Sequence, residues 1–212
     1  MATFSQSHDD SVERGYPVYC RVVYCRVAVS VLSLLMVGVT LQAADSAETK
    51  PFQGRRGQIP GKIEAEHYDQ GPAGVAYHDV DEQNRGAEYR ESTQVDIEKR
   101  DDASNGHGVG WTRTGEWLIY SVTVKRTGTY SLQIPVASNK RGGTFHLEID
   151  GKDITGPLQV PDTGGWDRLE RIKKDGIQLR AGDYQMKLLM DSVGLSKSTA
   201  DIDCLIFRVS GS

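Results

Sequence analysis

Three tryptophans carry the chain's strongest chemical signal. Trp111 and Trp117 stand six residues apart in HGVGWTRTGEWLIYSVTV, the first next to Gly110 and the second two residues after Gly115, and Trp166 sits in PDTGGWDR. Indole faces held near glycine-rich loops suit the apolar C–H faces of sugar rings, with Asp162, Asp167, Thr112 and Glu116 as candidate partners for hydroxyls. Covering one face would bury on the order of 60–80 Å², about 1.5–2 kcal/mol at roughly 25 cal/mol/Å². Two rings give about 3–4 kcal/mol before entropy, so dissociation constants from millimolar to tens of micromolar are expected. A second set of groups is the acid pair of EAE, Glu64 and Glu66, which point to the same side of a strand. Spacing alone leaves three readings open: an acid and base for glycoside hydrolysis, hard oxygen ligands for Ca²⁺, or a solvated edge.

The elements that must position these groups are strands. WLIYSVTV alternates, with Leu118, Tyr120, Val122 and Val124 on one face, so Trp117 points away from the core. YSLQIPV places Tyr130, Leu132, Ile134 and Val136 inward. TFHLEID and YQMKLLM follow the same rule, and KRTG reads as a hairpin turn between the first two runs. Turn residues recur about every ten residues and no window has a convincing period of 3.6, which predicts an all-β antiparallel sandwich, a jelly roll, over 61–210.

Ahead of it, Arg21 and Arg26 precede an apolar run from Val27 to Leu41 and the small residues Ala43 and Ala44. This order reads residues 1–44 as a signal peptide or an uncleaved N-terminal anchor, and a secreted, periplasmic or cell-surface location follows. Membrane association is expected only if the segment is kept. DSAETKPFQGRRGQIP, residues 45–60, reads as a linker, with GRRG as a solvated charge pair. Cleavage after Ala44 leaves Cys204 as the remaining cysteine, expected to be a buried small hydrophobe.

With 212 residues, 38% hydrophobic, and a net charge of −4, the chain can bury a core and has no basic stripe for nucleic acid. It holds no GxSxG, HExxH or phosphate loop.

Several segments, KIEAEHYD, GVAYHD, VGWTRTGEWLIYSVTV, GTYSLQIPVAS, GPLQVPDTGGWD and ADIDCLIF, together resemble the family 6 carbohydrate-binding modules of the galactose-binding-like jelly-roll superfamily, over about residues 60 to 210. The resemblance implies a non-catalytic, monomeric module that holds a polysaccharide such as β-glucan, xylan or an agarose-like chain, as an accessory to glycoside hydrolases. It implies a loop-end cleft clamped by Trp111 and Trp166, with Asp201 where the family has a hydroxyl-binding asparagine, and with His78 and Tyr77 near a further polar position. A carboxylate only accepts where an amide also donates, so Asp201 departs from the family's bonding pattern. Trp117 corresponds to a second cleft on the concave sheet face. A structural Ca²⁺ held by Glu64, Glu66 and Asp203 is implied as well. The alternatives are a small secreted glycan hydrolase or lyase, or a cell-surface adhesion module.

Overall fold

The structure, a computed structural model, describes residues 48–86 and 89–210. The expected signal or anchor segment lies outside the described residues. Fourteen strands follow: β1 Gly57–Ile59, β2 Gly61–Glu64, β3 Tyr77–His78, β4 Ile97–Lys99, β5 His107–Val109, β6 Trp117–Val124, β7 Gly128–Ser138, β8 Thr144–Ile149, β9 Lys152–Asp153, β10 Leu158–Gln159, β11 Gly165–Leu179, β12 Gly182–Ser192, β13 Asp201–Ile202 and β14 Cys204–Val209. They form two seven-stranded sheets. One runs β1-β6-β12-β8-β10, with β3 on β6 and β9 on β8; the other runs β2-β14-β7-β13-β5-β4, with β11 on β7.

The inward residues are those the alternation names. Leu118, Tyr120, Val122, Leu147, Met186 and Leu188 from the first sheet meet Tyr130, Leu132, Ile134, Val136, Leu205 and Phe207 from the second, all 3% exposed or less. A period of two fixes which side chains go inward because successive residues face opposite sides of a sheet. It does not fix which sheet a strand joins. KRTG, expected as a hairpin, instead carries the chain from β6 in one sheet to β7 in the other, and Arg180 and Ala181 do the same between β11 and β12. The pairing is antiparallel throughout the named strands except for β1, which lies parallel to β6 with Ile59 opposite Val124.

That exception corrects the expected linker. Ile59 is fully buried, the Lys50 and Gln70 backbones bond in both directions, and the Phe52 ring stacks on His67 at 4.3 Å. Arg56 of GRRG is an anchor, not a solvated charge: its Nη2 donates to the carbonyls of Val122 (3.2 Å) and Tyr184 (3.1 Å). Three strand residues and one guanidinium give too short a pattern to stand out among Gly, Pro and charge.

Cys204 is buried as expected, but its thiol contacts Asp203 (3.3 Å) rather than an apolar pocket, and burial pushes it up to about 12. Truncating Ile59 tests the role of 48–60. Ile59→Ala is expected to cost about 2–4 kcal/mol in urea unfolding, as a core deletion does. A loss within about 0.5 kcal/mol would return the segment to linker status.

Candidate functional site

Trp111 and Trp166 meet at one end of the sandwich. After β5, the Gly110 amide bonds the Asp96 carbonyl at 3.0 Å, and a Cβ at position 110 would lie 3.1 Å from Asp201 Oδ1, so glycine lets the chain pass the acid. Trp111 then adopts φ of +49°, a left-handed conformation that a bulky residue rarely holds unless its neighbours are fixed. They are. The Thr112 hydroxyl donates to the Ala200 carbonyl (2.5 Å) and accepts from its amide (3.0 Å), and Asp201 Oδ1 lies against Gly110. The ring is left 41% exposed.

Trp166 is held from the other side. Asp162 accepts the amides of Lys140 (3.0 Å) and Gly164 (2.9 Å), and the buried Thr163 accepts the Ser138 amide (2.9 Å), which sets the turn that starts β11. Between the two tryptophans lies a cleft of about 310 Å³, lined also by Glu98, Arg113, Asp201 and residues Ser196, Lys197 and Ser198.

The floor of the cleft is ionic. Arg100, with a side chain 4% exposed, places Nη1 on Glu98 (2.5 Å) and on Asp201 (3.1 Å). Its Nε and Nη2 take the two oxygens of Asp102 at 3.0 and 2.9 Å. Burial, with the adjacent Glu98 charge, pushes Asp201 up to about 8, against the pull of Arg100.

Two expected members of this cleft lie elsewhere. Tyr77 faces the core, 5% exposed and edge-on to Tyr68 at 5.6 Å. His78, the other residue of β3, faces outward and lies 6.2 Å from Trp117. The cleft instead takes a carboxylate from Glu98, hidden from sequence reading because it sits in a three-residue strand inside the charged run DIEKRDD. Its signal was alternation, since Ile97 points to the core and Glu98 away from it. The suggested hydroxyl partners are otherwise engaged: Thr112 with Ala200, Glu116 with the Arg113 amide (2.8 Å), Asp162 in its turn, and Asp167 in a separate cavity beside Arg168 and Arg171.

Trp117 lies on the outer face of the first sheet, as its strand phase requires. Lys187 Nζ sits 5.3 Å from its ring centroid and 3.6 Å from Glu148. Next to it, His146 bonds Asp191 at 2.7 Å and Glu148 at 3.3 Å.

Glu64, Asp203 and Cys204 bring ligand atoms within 4.8 Å of one another where β2 meets β14. The Ser104 hydroxyl lies 2.6 Å from Glu64 and 3.0 Å from Asp203, and Lys62 Nζ lies 2.6 Å from the other Glu64 oxygen. Glu66 is fully buried. Its Oε1 accepts from Asn105 (2.8 Å), its Oε2 has no partner among the described residues, and burial pushes it up to about 7. Two carboxylates, Glu64 and Asp203, and the Ser104 hydroxyl give hard oxygen donors of the kind Ca²⁺ takes, beside the softer Cys204 thiol; Glu66 is not among the converging groups and adds a buried carboxylate with one unpartnered oxygen.

A jelly-roll sandwich with an aromatic-walled, polar-floored cleft at its loop end has the architecture of a sugar-binding module. The chain belongs to the family described as Carbohydrate binding module (family 6), whose sequence model matches residues 85–209. It resembles a solved β-1,3-glucan binding family 6 module from Bacillus halodurans, with 24% identity and a TM-score of 0.55 over 73% of this chain and all of that one. The C-terminal family 6 module of LamC, a marine laminarinase from Zobellia galactanivorans, is 26% identical with a TM-score of 0.51, covering 70% of this chain and 98% of that one. Among curated proteins, the clotting factor G alpha subunit of Tachypleus tridentatus is 30% identical over 100 residues, which is 46% of this chain and 15% of that protein.

The face around Trp117 carries a pH signature. Burial opposes charging of the His146 imidazole, but its bonds to Glu148 and Asp191, with the charges of Asp191 and Asp153, raise it above its ordinary value. The stabilisation is therefore complete below about pH 6.5 and fades as pH rises through the raised value. His146→Gln should lower Tm by about 2–4 °C at pH 5.5 and by much less at pH 9, read by calorimetry at both. Equal losses at the two pH values would show that the ion pairs contribute nothing.

Proposed function

We propose that the Trp111–Trp166 cleft holds a neutral polysaccharide, a β-glucan in the first instance and xylan or an agarose-like chain otherwise, in a monomeric module that performs no chemistry on it. The observation that carries this reading is the pairing of two indole walls with a floor of carboxyl and hydroxyl groups. Sugar rings present apolar C–H faces to such walls and hydroxyls to such a floor. Laminarin, a β-1,3-glucan, is the first ligand to test, because the 26% identical module belongs to a laminarinase. Binding without catalysis is favoured by the position of the two acids. Glycoside hydrolysis needs carboxyl groups on either side of the bond, about 5 Å apart or more. Glu98 and Asp201 instead share one nitrogen of Arg100 on one side of the cleft.

The reading includes a structural Ca²⁺ held by Glu64, Glu66 and Asp203. Such an ion would satisfy the orphaned oxygen of Glu66 and brace the junction of β2 with the last strands; it supplies no chemistry to the cleft. Export, to the outside, the periplasm or the cell surface, is supported by the order of charge, apolar run and small residues before Asp45.

Affinity electrophoresis against laminarin, barley β-glucan, xylan and agarose tests the cleft. Trp111→Ala and Trp166→Ala are each expected to weaken binding about 10- to 30-fold, the worth of one stacked ring. Trp117→Ala should leave it within about twofold. Dependence on Trp117 alone would move the site to the sheet face. Retardation by none of the polysaccharides would turn the search to protein partners.

Calcium is tested by unfolding. Saturating Ca²⁺ is expected to raise Tm by about 5–10 °C over the chelated protein, and Glu66→Gln to remove most of that gain. A Tm indifferent to chelation would remove the ion from the description.

A further inference from the structure

Arg100 is placed to govern the cleft without entering it. Its side chain is 4% exposed, and the cleft is lined by Glu98 and Asp201 rather than by the guanidinium beneath them. All of its nitrogens are engaged. Nε and Nη2 form a two-pronged contact with Asp102, which fixes the plane of the guanidinium, and Nη1 then meets Glu98 from β4 and Asp201 from β13. Asp201 Oδ1 in turn lies against Gly110, the residue before Trp111, so contacts run from Arg100 through Asp201 to the backbone of the stacking platform. Glycines make the room. A Cβ at position 108 would come within 2.8 Å of Arg100 Cδ, and one at 110 within 3.1 Å of Asp201 Oδ1.

We propose that Arg100 is a positioning residue for glycan binding. It holds two neighbouring acids, Glu98 and Asp201, side by side as the floor of the cleft and, through Asp201, fixes the Trp111 loop, while making no contact with the sugar. The inference rests on the loop-end reading of the site. The need for it comes from the pair of acids: held in one small space, they repel whenever both are ionised and then separate unless a cation bridges them. A planar fork can hold Asp102 with two nitrogens and bridge Glu98 to Asp201 with the third, whereas a lysine ammonium presents its donors from one point. The cations on the cleft wall, Arg113 and Lys197, are exposed and form no ion pair among the described residues.

This assigns a particular rescue. Arg100→Gln leaves the two acids facing each other without their cation. Adding Asp201→Asn removes one of the acids and supplies an amide that donates to Glu98. A residue that merely filled space under the cleft would not be rescued by exchanging a neighbouring acid for its amide.

The test measures laminarin affinity and hydrogen exchange at the Trp111 amide in the wild type, Arg100→Gln, Arg100→Lys, Asp201→Asn and the Arg100→Gln/Asp201→Asn pair. Arg100→Gln should weaken binding at least about tenfold, as loss of a buried ionic partner does, and speed Trp111 exchange at least about tenfold. Arg100→Lys should recover only part of either. The double variant should bind at least about threefold more tightly than Arg100→Gln and slow its Trp111 exchange by as much, while Asp201→Asn alone measures what the cleft loses with that carboxyl group. Two results would overturn the proposal: a folded Arg100→Gln with wild-type exchange and affinity, or a double variant no better than the single. If Arg100→Gln does not fold, the double variant decides alone: folded and binding supports the proposal, and unfolded or folded without binding overturns it. If the wild type itself binds neither laminarin nor barley β-glucan, the polysaccharide reading fails, and Trp111 exchange still decides whether Arg100 fixes the loop.

Discussion

A carboxylate removed from water must find donors or a cation, and the loop end of this sandwich is organised by that demand. Glu66, Asp69, Asp96, Glu116, Asp201 and Asp203 are all buried. Each satisfied acid ties together segments that no strand pairing would fix. Asp69 takes the Ser121 amide and hydroxyl at 2.8 and 2.6 Å, Asp96 takes the Arg85 amide, and Asp203 takes Ser104. Asp201 joins the last strands to Arg100 and lies against the Trp111 loop at Gly110. The strands supply the hydrophobic burial that makes the fold stable; the acids supply the geometry of its loops.

How far this was legible in the sequence follows from the same division. Alternation identified the inward series from Leu118 to Val136 and the outward phase of Trp117, because side-chain direction along a strand is a local property. Sheet membership is not local, so the KRTG turn was read as a hairpin when it is a crossover. The tryptophans of the cleft were legible as loop aromatics, and the structure brings Trp111, Trp166 and Asp201 to one place. Glu98 was not, since a charge in a charged run looks solvated until its partners are known, and its partner Arg100 is buried only because Asp201 arrives from a hundred residues away. His78 and Tyr77 show the opposite error: neighbours in sequence, they lie on opposite sides of a strand, one facing Trp117 and the other the core.

The two aromatic faces differ in what already occupies them. Trp117 is half-buried, with the Lys187 ammonium at its ring and His78 beside it, so a ligand there must first displace a cation held by Glu148. Trp111 has no such partner. It is held in a strained backbone conformation between the anchored Gly110 and Thr112, and its ring is left to solvent. Strain of this kind costs on the order of 1–3 kcal/mol and is met when the protein folds. For a weak ligand this matters, because a platform fixed in advance loses little conformational freedom on binding, and the modest stacking energy of each indole is kept for the sugar. The backbone and hydroxyl bonds that hold Gly110 and Thr112 in place on either side of Trp111 are thus the reason why two rings can suffice.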